Sequence, residues 1–456
     1  MWYAGRYGEW RPHVGDTLQR FLDCGVLANG FLRVRCANCH HEVLVPWSCK
    51  RVSFCPSCAQ RRALEFGDFV DGEVLEQVPY RHIVWTIPRM LRPIFLRERT
   101  LLRKLSACAW KSVLQGLRTA LGESTAVPGA VLALATAGDL LNAHCHIHGL
   151  VSAGAWVGFG AQARFLPWPE ALTQERLEDL FRRLVLRMLV RRERLAESTA
   201  DRLLEWRHSG FNIFLGLPVE PWETASRRRI ARYILKSPLS LERLHYDETS
   251  CRVTYGSKKR GHERSMSALD FLAELTVHVL SRGQHQALYY GRCSNRSRGM
   301  RCHEQQATEP PLDRGETEDS DIDCNPTFTQ RRRAFRLRWA TLLQRVWGVD
   351  VMACPRCVSR MTVVAGISDL HVVERILRHL GLFDQPRAPN VHDCPSPPAL
   401  VDGQTLLMFA PRPGRTPPSS STQTWTELPA PTECPTEPAD PRLNDEWPVD
   451  PPFDDD

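Results

Sequence analysis

Two Cys-x-x-Cys pairs lie near the start of the chain, Cys36-Ala-Asn-Cys39 and Cys55-Pro-Ser-Cys58, separated by 15 residues. Such a turn holds two thiolates on one side of a tight knuckle, and two knuckles close a tetrahedral zinc site. The spacing predicts a small zinc ribbon with Cys36, Cys39, Cys55 and Cys58 as ligands, and with Cys49, His40 and His41 able to replace one of them. Four thiolates leave no open position, so the zinc is structural, and its binding contributes on the order of 10 kcal/mol of folding free energy. The chain has 16 cysteines, and its N-terminal run lacks the apolar core of a signal peptide, so metal binding is a better reading than a disulfide framework. A third pair, Cys354-Pro-Arg-Cys357, is half a site; partners at Cys302 or Cys324, in a second chain, or none at all stay open.

The pattern names a metal and leaves the partner open. Charge narrows the choice. The formal net charge is +7, but residues 385–456 carry 12 acidic and 4 basic side chains, and residues 303–323 carry 8 acidic and 1 basic. Setting those two segments aside leaves about +22 on the rest. A body this basic suits a polyanion, because each neutralised phosphate releases counterions. No run of about 18 apolar residues exists to span a bilayer, so we expect no membrane partner and a cytoplasmic, nucleoid-associated protein.

Composition shifts divide the chain into residues 1–75 with the Cys/His cluster, 76–302 with mixed strands and helices, an acidic linker 303–329, a small basic unit 330–384, and a Pro-rich acidic tail 385–456 expected to be disordered. Strands are predicted at His82–Ile87, Val131–Ala137 and His144–Ser152, and helices at Arg97–Leu121, Pro169–His208 and Leu370–Leu382.

Two segments of the central region carry chemistry. In Ala143-His144-Cys145-His146-Ile147-His148-Gly149, strand alternation puts His144, His146 and His148 on one face and Cys145, Ile147 and Gly149 toward a core. Imidazoles at i and i+2 on a rigid strand can share a divalent ion and leave positions for substrate oxygens. A structural role for the three histidines stays open at this point. The second segment, from Ala225 to Pro238, reads as a helix with Thr224 or Ser226 as N-cap and Pro238 as the stop. Helical spacing would place Tyr233 and Lys236 on one face with Arg229 a turn before; a half-buried tyrosine beside a solvated basic face fits equally well.

These segments together resemble the rolling-circle insertion-sequence transposases of the HUH (histidine–hydrophobic–histidine) single-tyrosine type, which begin with a zinc-binding domain. The resemblance rests on Arg35 through Cys58, including Pro46-Trp47-Ser48-Cys49-Lys50-Arg51, and on Gly138 through His148, which is similar to the HUH motif. It continues through Ala231-Arg232-Tyr233 with Pro238-Leu239-Ser240, through Gly283 to Gly299, and to the Cys354–Cys357 unit, in consistent order over residues 20–384.

The resemblance implies an α+β fold: an HUH-endonuclease-like antiparallel sheet with flanking helices over 76–302, preceded by the zinc ribbon. It implies His146 and His148 as metal ligands, Tyr233 as nucleophile, Lys236 as its neighbour, and Mg²⁺ or Mn²⁺ as the catalytic ion. Members with two tyrosines carry the first four residues ahead, where this chain has Arg229; Cys145 stands where proline is usual. The third ligand is unassigned, with His144 and Asp139 as candidates. The implied partner is single-stranded DNA at element ends, with Arg227, Arg228, Arg229, Lys258, Lys259 and Arg260 tracking phosphates. A plasmid replication initiator or relaxase, and a non-catalytic zinc-ribbon DNA-binding protein, are the competing readings.

Overall fold

Residues 129–137, Gly-Ala-Val-Leu-Ala-Leu-Ala-Thr-Ala, offer no charged or strongly polar face, so a strand made of them has to be covered on both sides. A computed structural model of the chain describes residues 10–51, 53–158, 162–206, 209–235, 237–258, 261–308, 341, 350 and 352–383, and in it every residue of that strand is buried.

In chain order the first half holds helix α1 (Pro12–Leu22), strands β1 (Phe31–Cys36) and β2 (Glu42–Pro46), helix α2 (Pro56–Phe69), strand β3 (Tyr80–Thr86) and helices α3 (Arg92–Arg97) and α4 (Thr100–Leu121). Strands β4 (Gly129–Ala137), β5 (Ala143–Ser152), β6 (Gly154–Val157) and β7 (Arg164–Pro167) follow, then α5 (Gln174–Arg191), α6 (Glu197–Glu205), β8 (Asn212–Val219) and α7 (Thr224–Ile234). The remainder is β9 (Leu244–Asp247), β10 (Arg252–Gly256), β11 (Glu263–Ser267), α8 (Ala268–Val277), β12 (Ala287–Gly291), α9 (Asn295–Thr308), β13 (Met361–Ile367) and α10 (Leu370–His379).

The chain divides into two compact units, which are described separately. Of the described residues, 10–14 and 53–308 belong to the larger and 15–51 and 352–383 to the smaller. Segments that composition alone separates, 1–75 and 330–384, are thus shared differently: helix α2 joins the larger unit, while residues 352–383 join the N-terminal strands. The expected linker from 303 begins inside α9, which runs to Thr308. Residues 309–340 and the tail from 384 lie outside the described residues.

The larger unit is built on a five-stranded sheet in the order β12-β4-β5-β3-β8, with every neighbouring pair antiparallel and β5 in the middle. One face packs on α4 and α5 through Ile83, Trp85, Leu132, Leu134, Cys145 and Ile147 against Leu105, Leu117, Phe181 and Leu189. Each such fully buried side chain contributes roughly 1.5–3 kcal/mol, which makes this the main core. The other face carries Val131, Ala133, Leu150 and Tyr289 against Phe66 of α2 and Ala231 and Ile234 of α7. A second, three-stranded sheet, β11-β10-β9, follows α7. The long helix expected over Pro169–His208 is two helices, broken at Glu193, which takes a positive φ of 56°.

The smaller unit is a three-stranded antiparallel sheet in the order β13-β1-β2. Strand β13 comes from more than 300 residues downstream and pairs with β1 from Phe31↔Ile367 to Cys36↔Met361. Helix α10 covers the sheet, setting Val373 and Leu377 against Phe31 and Leu44.

Candidate active site

Central strand β5 aligns His148 with Val84 of β3 and Ala133 of β4, and His146 with Thr86 and Ala135. Small or short neighbours on both sides leave room above the strand, and the two imidazoles fill it. Cys145 and Ile147 point the other way into the main core, as alternation requires. Both His146 and His148 are fully buried.

Their Nε2 atoms face each other at 3.1 Å. On the far side of each ring, His146 Nδ1 lies 2.8 Å from the His144 carbonyl oxygen, and His148 Nδ1 lies 3.1 Å from His82 Nε2. The carbonyl can only accept, so His146 carries its proton on Nδ1 and presents a lone pair at Nε2. Two ligands about 2.1 Å from an ion in adjacent positions of an octahedron stand about 3 Å apart. The separation of the two nitrogens thus fits a pair holding one divalent ion.

Helix α7 brings the tyrosine to this face. The Tyr233 ring stands edge-on to His148, with centroids 5.7 Å apart and planes at 81°, and edge-on to His82 at 6.0 Å and 73°. The helix begins at Thr224, but its cap is Glu223, and neither Thr224 nor Ser226 caps it. The Glu223 carboxylate instead accepts from the Glu220 N–H. The helix ends at Ile234, so helical spacing does not relate Tyr233 to Lys236, and Lys236 itself lies outside the described residues.

The arginines of α7 divide by direction. Arg227 is fully buried: it pairs with Asp71 at 3.1 Å, donates to the carbonyls of Pro221 and Glu76, and lies over the Tyr80 ring. Arg228 bonds Asp71 at 2.7 Å, and Arg232 bonds Asp68 at 3.3 Å. This basic run is largely the surface on which α2 docks, and the approach is close, because a Cβ on Gly67 would sit 2.6 Å from the Arg232 side chain. Arg227, expected to track phosphates, is therefore a core residue. Arg229 is exposed, as is Lys258; Lys259 and Arg260 lie outside the described residues.

Asp139 is not available as a third ligand. Its carboxylate accepts from Arg243 at 2.8 Å, from the Ser257 hydroxyl and from the Lys258 N–H. Burial opposes its ionisation, but these bonds outweigh burial and hold its pKa below the ordinary range. His144 is on the right face, its ring 4.7 Å from that of His146, with Nε2 buried and lacking a hydrogen-bond partner. Burial and the neighbouring His146 lower its pKa to about 3, so it is neutral. Among the described residues, no group of three potential metal-ligating side chains within 4.8 Å includes His146 or His148.

The sequence reading placed His82 on a strand and assigned it no role. It is 7% exposed, and burial alone lowers its pKa to about 4, so it faces His148 as a neutral ring. Only the pairing of β3 beside β5 reveals it.

The thiols regroup. Cys36 and Cys39 meet Cys354 and Cys357 in the smaller unit, with all four sulfurs within 4.8 Å of one another. The expected single site of Cys36, Cys39, Cys55 and Cys58 is therefore corrected: β13 carries the third pair onto β1, while Cys55 and Cys58 open helix α2 in the larger unit. Cys49 donates its backbone N–H to Cys24 Sγ at 3.4 Å, and His41 is buried while His40 is exposed.

Comparison with known proteins agrees with this layout. Residues 2–87 match a family model described as "Transposase zinc-binding domain", and residues 129–300 match one described as "Putative transposase". The chain is 26% identical over 383 residues to the transposase for insertion sequence element IS801 of Pseudomonas savastanoi pv. phaseolicola, covering 78% of this chain and 85% of that protein. No solved structure matches it, and among the described residues no helix is long and apolar enough to cross a membrane. A segment matching a transposase zinc-binding domain is thus followed by one matching a putative transposase domain, and the second holds the paired histidines and Tyr233.

Proposed function

We propose that this transposase nicks and rejoins single-stranded DNA in rolling-circle transposition through a 5′-phosphotyrosine at Tyr233. The observation that carries the proposal is the pair of buried Nε2 atoms 3.1 Å apart on the central strand, with the Tyr233 ring edge-on to one of them. His146 and His148 would hold the ion, Mg²⁺ or Mn²⁺. When bound, that ion polarises the scissile phosphate. His144, whose ring lies beside that of His146 and whose buried Nε2 lacks a hydrogen-bond partner, is the proposed third contact, to the ion or to a phosphate oxygen.

The chain's own residues then do the following. His82 holds the His148 ring from behind, and the His144 carbonyl holds His146. The Tyr233 oxygen forms a new bond to phosphorus as the bond from phosphorus to the 3′ oxygen breaks. The phenol gives up its proton and the departing 3′ oxygen takes one up, so no water is consumed and the bond energy is kept for rejoining. Lys236, next along the chain from the nucleophile's helix, completes the proposed catalytic set. Arg229, Lys258, Lys259 and Arg260 are the proposed phosphate contacts, with Arg228 reduced to a lesser one by its bond to Asp71. Cytoplasmic, nucleoid-associated action on DNA is part of the same proposal.

Covalent capture tests it. Protein, Mn²⁺ or Mg²⁺ and single strands spanning the element ends are resolved on a denaturing gel. An adduct that disappears in Tyr233→Phe and in His146→Ala is the expected result. Adduct formation that persists in Tyr233→Phe overturns the assignment of the nucleophile, and no adduct from folded, zinc-loaded protein on either strand favours a non-catalytic DNA-binding protein.

A further inference from the structure

The matched zinc-binding domain ends at residue 87, yet two of the four thiols gathered in the smaller unit come from Cys354 and Cys357. We propose that Cys36, Cys39, Cys354 and Cys357 form one tetrahedral zinc site, so that the N-terminal zinc-binding unit is completed only by the far C-terminal segment.

The two Cys-x-x-Cys segments have the same backbone geometry although more than 300 residues separate them. The Cys36 N–H bonds the His41 carbonyl at 2.8 Å, and the Cys354 N–H bonds the Ser359 carbonyl at 2.9 Å, each five residues on. In each segment the residue after the second cysteine takes a left-handed conformation, His40 with φ 57° and Val358 with φ 61°. A β-branched residue at positive φ is a genuine outlier, costly unless the surroundings impose it. Val358 is 81% exposed, so packing does not impose it. The turn that brings the two sulfurs of a knuckle to one side does.

The sulfur positions agree. Cys36 and Cys357 lie 3.5 Å apart, and Cys39 lies 3.4 Å from both Cys354 and Cys357. Four sulfurs about 2.3 Å from a tetrahedral ion stand about 3.8 Å apart, whereas a disulfide would need about 2.05 Å. None of Cys36, Cys39, Cys354 and Cys357 forms a disulfide. The donor set is closed and all sulfur, which suits zinc in a structural role and leaves no position for substrate.

Register supplies the second support. Strand β13 begins at Met361, four residues after Cys357, and pairs Met361 with Cys36 at the end of β1. The strand pairing thus delivers the second knuckle onto the first. Zinc and sheet are one clasp, and neither half of the unit is complete while the C-terminal segment is missing.

The test uses the full chain and counts zinc. Cys36→Ser/Cys39→Ser and Cys354→Ser/Cys357→Ser are each expected to lose one zinc per chain, and the four-fold variant the same single zinc. Loss of two from the four-fold variant, or full zinc content in Cys354→Ser/Cys357→Ser, overturns the proposal. Because a serine variant can fail to fold, Cys357→His is measured beside it: three cysteines and a histidine are an ordinary zinc set, so it is expected to keep the ion. In cadmium-substituted wild-type protein, one cadmium resonance coupled to the β-protons of Cys36, Cys39, Cys354 and Cys357 is expected. Coupling of Cys36 and Cys39 to a cadmium that does not couple to Cys354 and Cys357 refutes the shared site.

Discussion

Neighbouring arginines of α7 are expected to fail in opposite ways. Arg227→Met keeps much of the apolar volume and removes the charge from a pair whose side chains are 1% and 5% exposed. Breaking a buried ion pair costs about 3–5 kcal/mol, because the remaining charge is left in a poor solvent. Here Arg228 still holds Asp71 at 2.7 Å, which places the loss near the low end of that range. The carbonyls of Pro221 and Glu76 also lose a donor, at roughly 1 kcal/mol each. The expected total is about 5 kcal/mol, and a unit of this size shifts its melting temperature by about 2–4 °C per kcal/mol, so a drop of about 10–20 °C follows. Arg229→Met, at an exposed position, changes stability by less than about 0.5 kcal/mol. It is expected instead to weaken single-strand binding and reduce the slope of log affinity against log salt by about 0.7, the share of one phosphate. Thermal unfolding and fluorescence anisotropy over a salt series measure both. If Arg227→Met melts with the wild type and loses one phosphate's worth of slope, the division of this helix into a docking face and a DNA face is wrong.

Three further outcomes follow from the geometry. His82→Ala leaves His148 without its rear partner, so the Mn²⁺ concentration giving half-maximal adduct is expected to rise about 10–100-fold, with adduct recovered at saturation; an unchanged metal requirement would reduce His82 to packing. Gly149→Ala would put a Cβ 2.7 Å from both Leu132 and Trp85, and overpacking of this kind costs about 1–3 kcal/mol, read by denaturant unfolding; wild-type stability would show that the sheet relaxes freely beneath the histidines. Asp139 has a folded pKa below its unfolded one, so its contribution is complete above the unfolded value of about 3.9 and is lost as pH falls through the folded value. Asp139→Asn is expected to cost about 1–2 kcal/mol at pH 7 and to flatten the stability profile below about pH 4; an unaltered acid limb would show that other carboxylates set it.

Much of the site could be read from local pattern. Alternation alone placed His146 and His148 on one face of a buried strand, and period and charge put Tyr233 on a helix, because side-chain direction within one element follows from backbone geometry that is local in sequence. Local pattern gave strands and helices, whereas the antiparallel α+β fold was legible through the family resemblance. What the chain alone left open was which elements meet. The run of arginines before Tyr233 reads as a solvated basic face until Asp68 of α2 and Asp71, two residues beyond its end, meet it. His82 has no pattern of its own, and its role appears only when β3 pairs beside β5. The same holds for the cysteines: spacing set Cys36 and Cys39 with their sequence neighbours Cys55 and Cys58, whereas β13 brings Cys354 and Cys357 to them. Local chemistry is written in residue type and period, but partner choice is decided by burying apolar faces such as Val373 and Leu377 on Phe31 and Leu44, and that free energy depends on contact in space and not on separation along the chain.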